Sequence, residues 1–241
     1  MRNVLFPTMY RNNCRLKYLI FIFLSIILYS LCGCAAERKV QDNQFTSSSP
    51  QMRVVIDKEF QYLGTGTYNS ILRNSNDLDG PGIGNYDVDF YFFAYGKTEK
   101  KTIQKAVIIY FSKISTLNRW WALPFFNENS KFIVDHGVKL LGGEYYEYAI
   151  SFENTKDDNK IGIWLKQKGY MLPHCRIKII FKKLEKDDLC KTVLYYEDAA
   201  LSGFECSNWN DKGKLVDKQK KYIDKFIERA DKAVQIMNSQ N

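Results

Sequence analysis

The sequence predicts an α+β domain, mainly antiparallel β-sheet, with a long C-terminal helix packed on it. Three observations carry that prediction. Several stretches alternate apolar and polar residues with period two, the signature of half-buried strands. The links between them are short and polar, as in "NTKDDN" and "EKDD", which suits hairpins and leaves no room for the helical crossovers a parallel sheet needs. One stretch near the C-terminus repeats its apolar residues at helical spacing.

In chain order, the first segment reads as an address rather than as part of the domain. Arg2, Arg11, Arg15 and Lys17 precede any acidic residue, and the apolar run Tyr18 to Leu31 follows. That run matches a signal-peptide core and is short for a membrane span, which takes about 20 residues. It ends in Leu31-Cys32-Gly33-Cys34, similar to the box at which bacterial lipoprotein signals are cleaved. On that resemblance residues 1–33 are removed and Cys34 becomes the lipidated N-terminus. Removing them takes away four basic residues and no acidic one, so the net charge falls from +8 to +4. Much of the basicity is therefore targeting signal, which argues against a nucleic-acid partner. Residues 34–50 read as the lipidated N-terminus and a flexible linker. As a coil, 16 residues span roughly 20–24 Å, which keeps the domain near its membrane. An Asp after the lipidated Cys marks inner-membrane retention in many envelope lipoproteins. Ala35 stands there, so the outer membrane is favoured where the cell has one.

Residues 51–241 are read as one domain. In "MRVVIDKEFQY", Met52, Val54, Ile56, Phe60 and Tyr62 share one face of a strand. "YDVDFYFFAYG" aligns Tyr86, Val88, Phe90 and Phe92. The more uniformly apolar "KAVIIYFSKI" reads as a central strand, 105–114. "EYYEYAISFE" aligns Tyr146, Tyr148, Ile150 and Phe152, and "KIGIWLKQKGY" aligns Ile161, Ile163 and Leu165. "CRIKIIFKKL" aligns Cys175, Ile177, Ile179 and Phe181, and "CKTVLYYED" adds a further strand. The helix is expected over 217–237, its stripe running from Tyr222 through Phe226 and Ala230 to Val234 and Met237.

Candidate chemistry is sparse. His136 and His174 are the only histidines, neither in zinc-ligand spacing, and no catalytic residue, metal site or cofactor is nominated. "NDLDGPGIGNYD" carries Asp77, Asp79 and alternating glycines, but opens a strand rather than a helix and lacks two key calcium ligands. It reads as a turn, with a weak cation site as the alternative. Trp120 and Trp121, beside Arg119, either plug one end of the sheet or form a platform for a ligand or partner. Lys166, Lys168, Arg176, Lys178 and Lys182 share outward parity on an expected hairpin, a solvated basic face or a surface for anionic polymers. Cys175, Cys190 and Cys206 allow three single pairings. A hairpin turn at "EKDD" carries Cys175 far from Cys190 and disfavours that bond; Cys190–Cys206 is the possible disulfide favoured, since it ties the last strand to "SGFECSNW" and closes a loop of about 15 residues.

The layout resembles that of uncharacterised bacterial lipoproteins built around a domain of unknown function. The resemblance rests on the box at Leu31–Cys34, on "FIVDHGVKLLGGEYYEY" from Phe132 to Tyr148, and on the helical "FIERA". It covers about a third of the chain and implies export and lipid anchoring, but no catalytic residues. The expected function is a lipid-anchored binding or assembly module of the cell envelope, with an envelope protein or polymer as partner. The alternatives are an envelope enzyme with a dispersed active site and a binder of small ligands or cations.

Overall fold

A computed structural model describes residues 37–72, 84–95, 102–114, 133–154, 160–186, 188–209 and 215–237. Apart from Glu37, the described residues belong to one compact unit, Arg38–Asn241.

Among the described residues, eleven strands form two antiparallel sheets. The smaller has the order β1 (Arg38–Gln41), β2 (Gln44–Ser48), β3 (Gln51–Ile56) and β11 (Val234–Met237). The larger has the order β4 (Phe60–Leu72), β5 (Gly84–Tyr95), β6 (Lys105–Ile114), β10 (Leu189–Asp198), β9 (Cys175–Lys186), β8 (Glu144–Asn154) and β7 (Ile133–Leu141). Two helices, α1 (Lys160–Gln167) and α2 (Asp217–Ala233), pack on opposite faces of it.

Alternation along the strands explains this layering. On β10, Val193 and Tyr195 point inward to the smaller sheet and α2, where Phe45, Val54, Ile223 and Phe226 complete the core. Leu194 and Tyr196 point outward, to Ile161 and Leu165 of α1. β6 is buried on both faces, as its uniformly apolar sequence requires. Aromatic contacts join the layers: Phe45 meets Tyr91 at 4.6 Å between ring centres, and Tyr195 meets Phe226 at 5.5 Å.

The alternating strands are where the sequence places them, with four departures. The expected flexible linker contains β1 and β2, held by an Asp42-Asn43 turn whose two residues have φ of 49° and 57°. Both residue types tolerate that left-handed conformation. The Asn43 side chain donates to the carbonyls of Asp57 and Phe60, tying this turn to the next. "MRVVIDKEFQY" is two strands in different sheets, turning at Asp57–Glu59. "KIGIWLKQ" is helix rather than strand: Ile161 and Leu165 are buried four residues apart, and Ile163 is exposed. Trp164 then lies edge-on to Phe90, over Gly66, where a Cβ would stand 2.6 Å from the Phe90 ring. Finally, the C-terminal helix is 17 residues and not long. It stops at Ala233, and Val234–Met237 leave it to pair with Ile56–Arg53 of β3.

The β7–β8 turn is Gly142-Gly143, with φ of +56° and +81°. At Gly142 a Cβ would stand 2.6 Å from the Met237 backbone, so glycine serves both the turn and the close approach of β11.

Candidate functional site

Two charged side chains face the inner core of β10, one at each end of its apolar pair. Glu197 is 1% exposed. It accepts from Tyr195 and Tyr222 hydroxyls, and Arg229 of α2 grips both its oxygens at 2.7 Å. Lys105 lies 3.6 Å away. Burial pushes the carboxyl pKa up, but donation from Arg229, Tyr195 and Tyr222 outweighs it, and the net position is below the ordinary value. Lys191, also 1% exposed, pairs with Glu144 and Glu185, and Lys183 reaches the same two carboxylates. Both clusters have every charge met by an opposite one; the first ties α2 to β10, and the second ties β8 and β9 to β10. Neither was singled out from the sequence. The signal was there: Lys191 and Glu197 share strand parity with Val193 and Tyr195, and Arg229 follows Tyr222 by two helical turns.

An open cleft of about 700 Å3 lies at the end of the sheet where β9 begins and β10 ends. Its walls are fixed by local chemistry. Met171 forms a parallel bridge to Thr102, and its carbonyl accepts from the Ile103 amide at 2.9 Å. The Asp198 carboxylate caps a 3-10 turn, Ala199–Ser202, by accepting from the Ala200 amide at 3.0 Å. Gly203, at φ +75°, ends that turn, and Ser202 Oγ accepts from the Phe204 amide. A disulfide between Cys175 and Cys206, with Cα atoms 5.8 Å apart, closes the wall. Leu172, Pro173 and Phe204 give the cleft an apolar lining, while His174, Asp198 and Glu205 supply polar groups. An apolar lining with a few polar groups is the chemistry common to ligand clefts.

The disulfide corrects the expected pairing. Cys206 bonds to Cys175, not to Cys190. Cys190 sits on the opposite, outward face of β10, where burial raises its thiol pKa. Cys175 begins β9 on the inward face, beside the turn that carries Cys206. The β9–β10 hairpin does keep Cys175 far from Cys190, but no local pattern in the sequence indicates where residues 199–206 return.

The remaining nominated residues are dispersed. Cys34, Trp120, Trp121, Asp77 and Asp79 lie outside the described residues. Asp135 and His136 are exposed on β7, where Asp135 accepts from the His136 amide and the Tyr148 hydroxyl. The basic stripe is broken up. Lys166 and Lys168 are exposed at the end of α1, whereas Arg176 is buried on β9 and, with Lys178, pairs with Glu153 at 3.1 and 3.3 Å. Lys182, part-buried opposite Glu147, has its pKa lowered by burial. Among the described residues, no group of three or more His, Cys, Asp or Glu is placed to hold a metal ion. No family model, curated protein or solved structure matches the chain.

Proposed function

We propose that the protein is a lipid-anchored binding or assembly module of a bacterial cell envelope, tethered through Cys34 and engaging its partner through the cleft beside the Cys175–Cys206 disulfide. The observation that carries the recognition half is the cleft itself: about 700 Å3, open, and apolar with His174, Asp198 and Glu205 among its lining groups. Its walls are set by a disulfide, a capped turn and a β-bridge, so a partner meets a surface already in shape. The export half is supported by the box at Leu31–Cys34 and by the paired cysteines, since structural disulfides belong to oxidising compartments. With β1 and β2 part of the domain, the tether shortens to the few residues between Cys34 and Arg38. The outer membrane is favoured where present, from Ala35 after the lipidated Cys.

Two measurements test the halves separately. Metabolic labelling with a fatty acid is expected to persist in Cys32→Ala and to vanish in Cys34→Ala; label retained in Cys34→Ala overturns the anchor. A photo-crosslinking residue at Phe204 is expected to give one defined adduct in intact cells, while the same residue at exposed Lys220 gives none. Equal, diffuse labelling from both positions overturns recognition by the cleft.

A further inference from the structure

The terminal strand of the larger sheet carries a pattern that complements itself. β7 ends the strand order, pairing with β8 on one side. Among the described residues no strand pairs with its other side. Its sequence over 134–141 is Val-Asp-His-Gly-Val-Lys-Leu-Leu. The ladder with β8 is regular from Asp135 to Leu141, so Asp135, Gly137 and Lys139 share one face and His136, Val138 and Leu140 the other. The His136 amide donates to the Asp135 carboxylate at 2.8 Å rather than into the β8 ladder. Backbone groups of 136, 138 and 140 are thereby the ones directed outward, because the two edges of a strand alternate.

We propose that β7 is a homodimer interface, pairing antiparallel with β7 of a second copy about a two-fold axis at Gly137. In that register His136 and Val138 of the two copies exchange backbone hydrogen bonds, the His136 amide giving up its own Asp135 carboxylate for the Val138 carbonyl of the other copy. Asp135 of each chain then stands directly opposite Lys139 of the other, giving two identical cross-strand ion pairs. Sliding the copies by the two residues that backbone pairing permits puts Asp135 opposite Gly137 or Leu141 and loses both pairs. The charges therefore select one register, as a closed two-fold contact requires. Gly137 itself has little room for a side chain, since a Cβ would stand 3.0 Å from the Tyr148 ring. The axis thus falls on a residue with nothing to obstruct it.

The apolar residues of the same hairpin point to the same occupant. Val138 and Leu140 are 64% and 56% exposed, and Tyr145, opposite Leu140 on β8, is 71% exposed. All three lie on one face of the hairpin, Val138 and Leu140 on the edge strand and Tyr145 one strand in. In that register Val138 of each copy lies opposite His136 and diagonal to Val138 of the other, so the most exposed apolar residue of the edge moves into the middle of a continuous sheet, with Leu140 and Tyr145 flanking it at either end. Lys139 also donates to Asp231 at 2.7 Å, and its ammonium would bridge its own Asp231 and Asp135 of the copy.

Sedimentation velocity of the full-length chain in detergent micelles tests this by charge reversal. Wild type is expected to dimerise. Asp135→Lys or Lys139→Asp alone turns both ion pairs into repulsions and is expected to weaken the dimer about tenfold or more. An equimolar mixture of the two single variants, and the double reversal Asp135→Lys/Lys139→Asp, are each expected to recover the dimer. Circular dichroism of each variant, unchanged from wild type, separates lost pairing from lost folding. A wild-type chain that stays monomeric at every concentration overturns the proposal. So does a dimer indifferent to either single reversal, or single variants that fail to recover on mixing. This surface is separate from the cleft, so either reading can fail without the other.

Discussion

Glu197 sets a full charge inside the inner core. A carboxylate at 1% exposure is held by four donors on three side chains, with the Lys105 ammonium 3.6 Å away as a further countercharge. Deleting its charge leaves Arg229 and Lys105 facing a neutral amide at the edge of the core. Glu197→Gln is expected to cost roughly 3–5 kcal/mol in denaturant unfolding at neutral pH, the usual loss when one partner of a buried pair is removed. The same residue sets a pH dependence. Its folded pKa lies below the ordinary value of 4.5, so its contribution is complete above that value and is lost as pH falls through the folded pKa. Glu144 and Glu153 are shifted the same way; burial raises each, and lysine or arginine partners bring each below the ordinary value. Stability measured by chemical unfolding is expected to drop as pH falls below about 4.5, with a shallower drop in Glu197→Gln. An equal slope in the two proteins would remove Glu197 from the explanation.

Among the elements, α1 shows why part of the fold was legible in the sequence and part was not. The strands at 105–114, 144–154, 175–186 and 189–198 alternate or run apolar long enough for one period to fit, and they are where that reading put them. "KIGIWLKQ" satisfies two periods: Ile161, Ile163 and Leu165 align as a strand, while Ile161, Trp164 and Leu165 align as a helix. The choice is made by the outward pockets of β5 and β10, which the segment cannot know by itself. β1 and β2 were hidden for a related reason. They are short, polar and recognisable only by Phe45 being 0% exposed between the sheets. The cleft was illegible because it joins Thr102, Met171–Cys175 and Asp198–Cys206, segments far apart in the chain and brought together by the β9–β10 register. The helical assignment has a direct test. Leu165→Ala is expected to cost about 2–5 kcal/mol, the range for a buried leucine, and Ile163→Ala about 0.5 kcal/mol or less, as at exposed positions. Equal losses at the two sites would restore the strand.

At the scale of the whole domain, the Cys175–Cys206 bond ties the start of β9 to the turn following β10, enclosing the central hairpin in one covalent loop. With a separation of 31 residues, the chain-entropy model assigns it about 3.7 kcal/mol. Cys206→Ala is expected to lower unfolding stability by about 2–4 kcal/mol. Peptide mapping of the unreduced protein is expected to join Cys175 to Cys206, with Cys190 alkylated only after denaturation. A bond to Cys190 would overturn the pairing. The linkage also passes over a cysteine. A chain threaded into an oxidising compartment from its N-terminus presents Cys175, then Cys190, and only later Cys206, so the first available partner for Cys175 is the wrong one. The two sit on opposite faces of the hairpin, and a bond made between them in transit blocks the sheet until it is exchanged. On the export proposed above, maturation of this domain would fall to whatever thiol–disulfide isomerase that compartment supplies, and its yield, rather than its final stability, would be the quantity that enzyme controls.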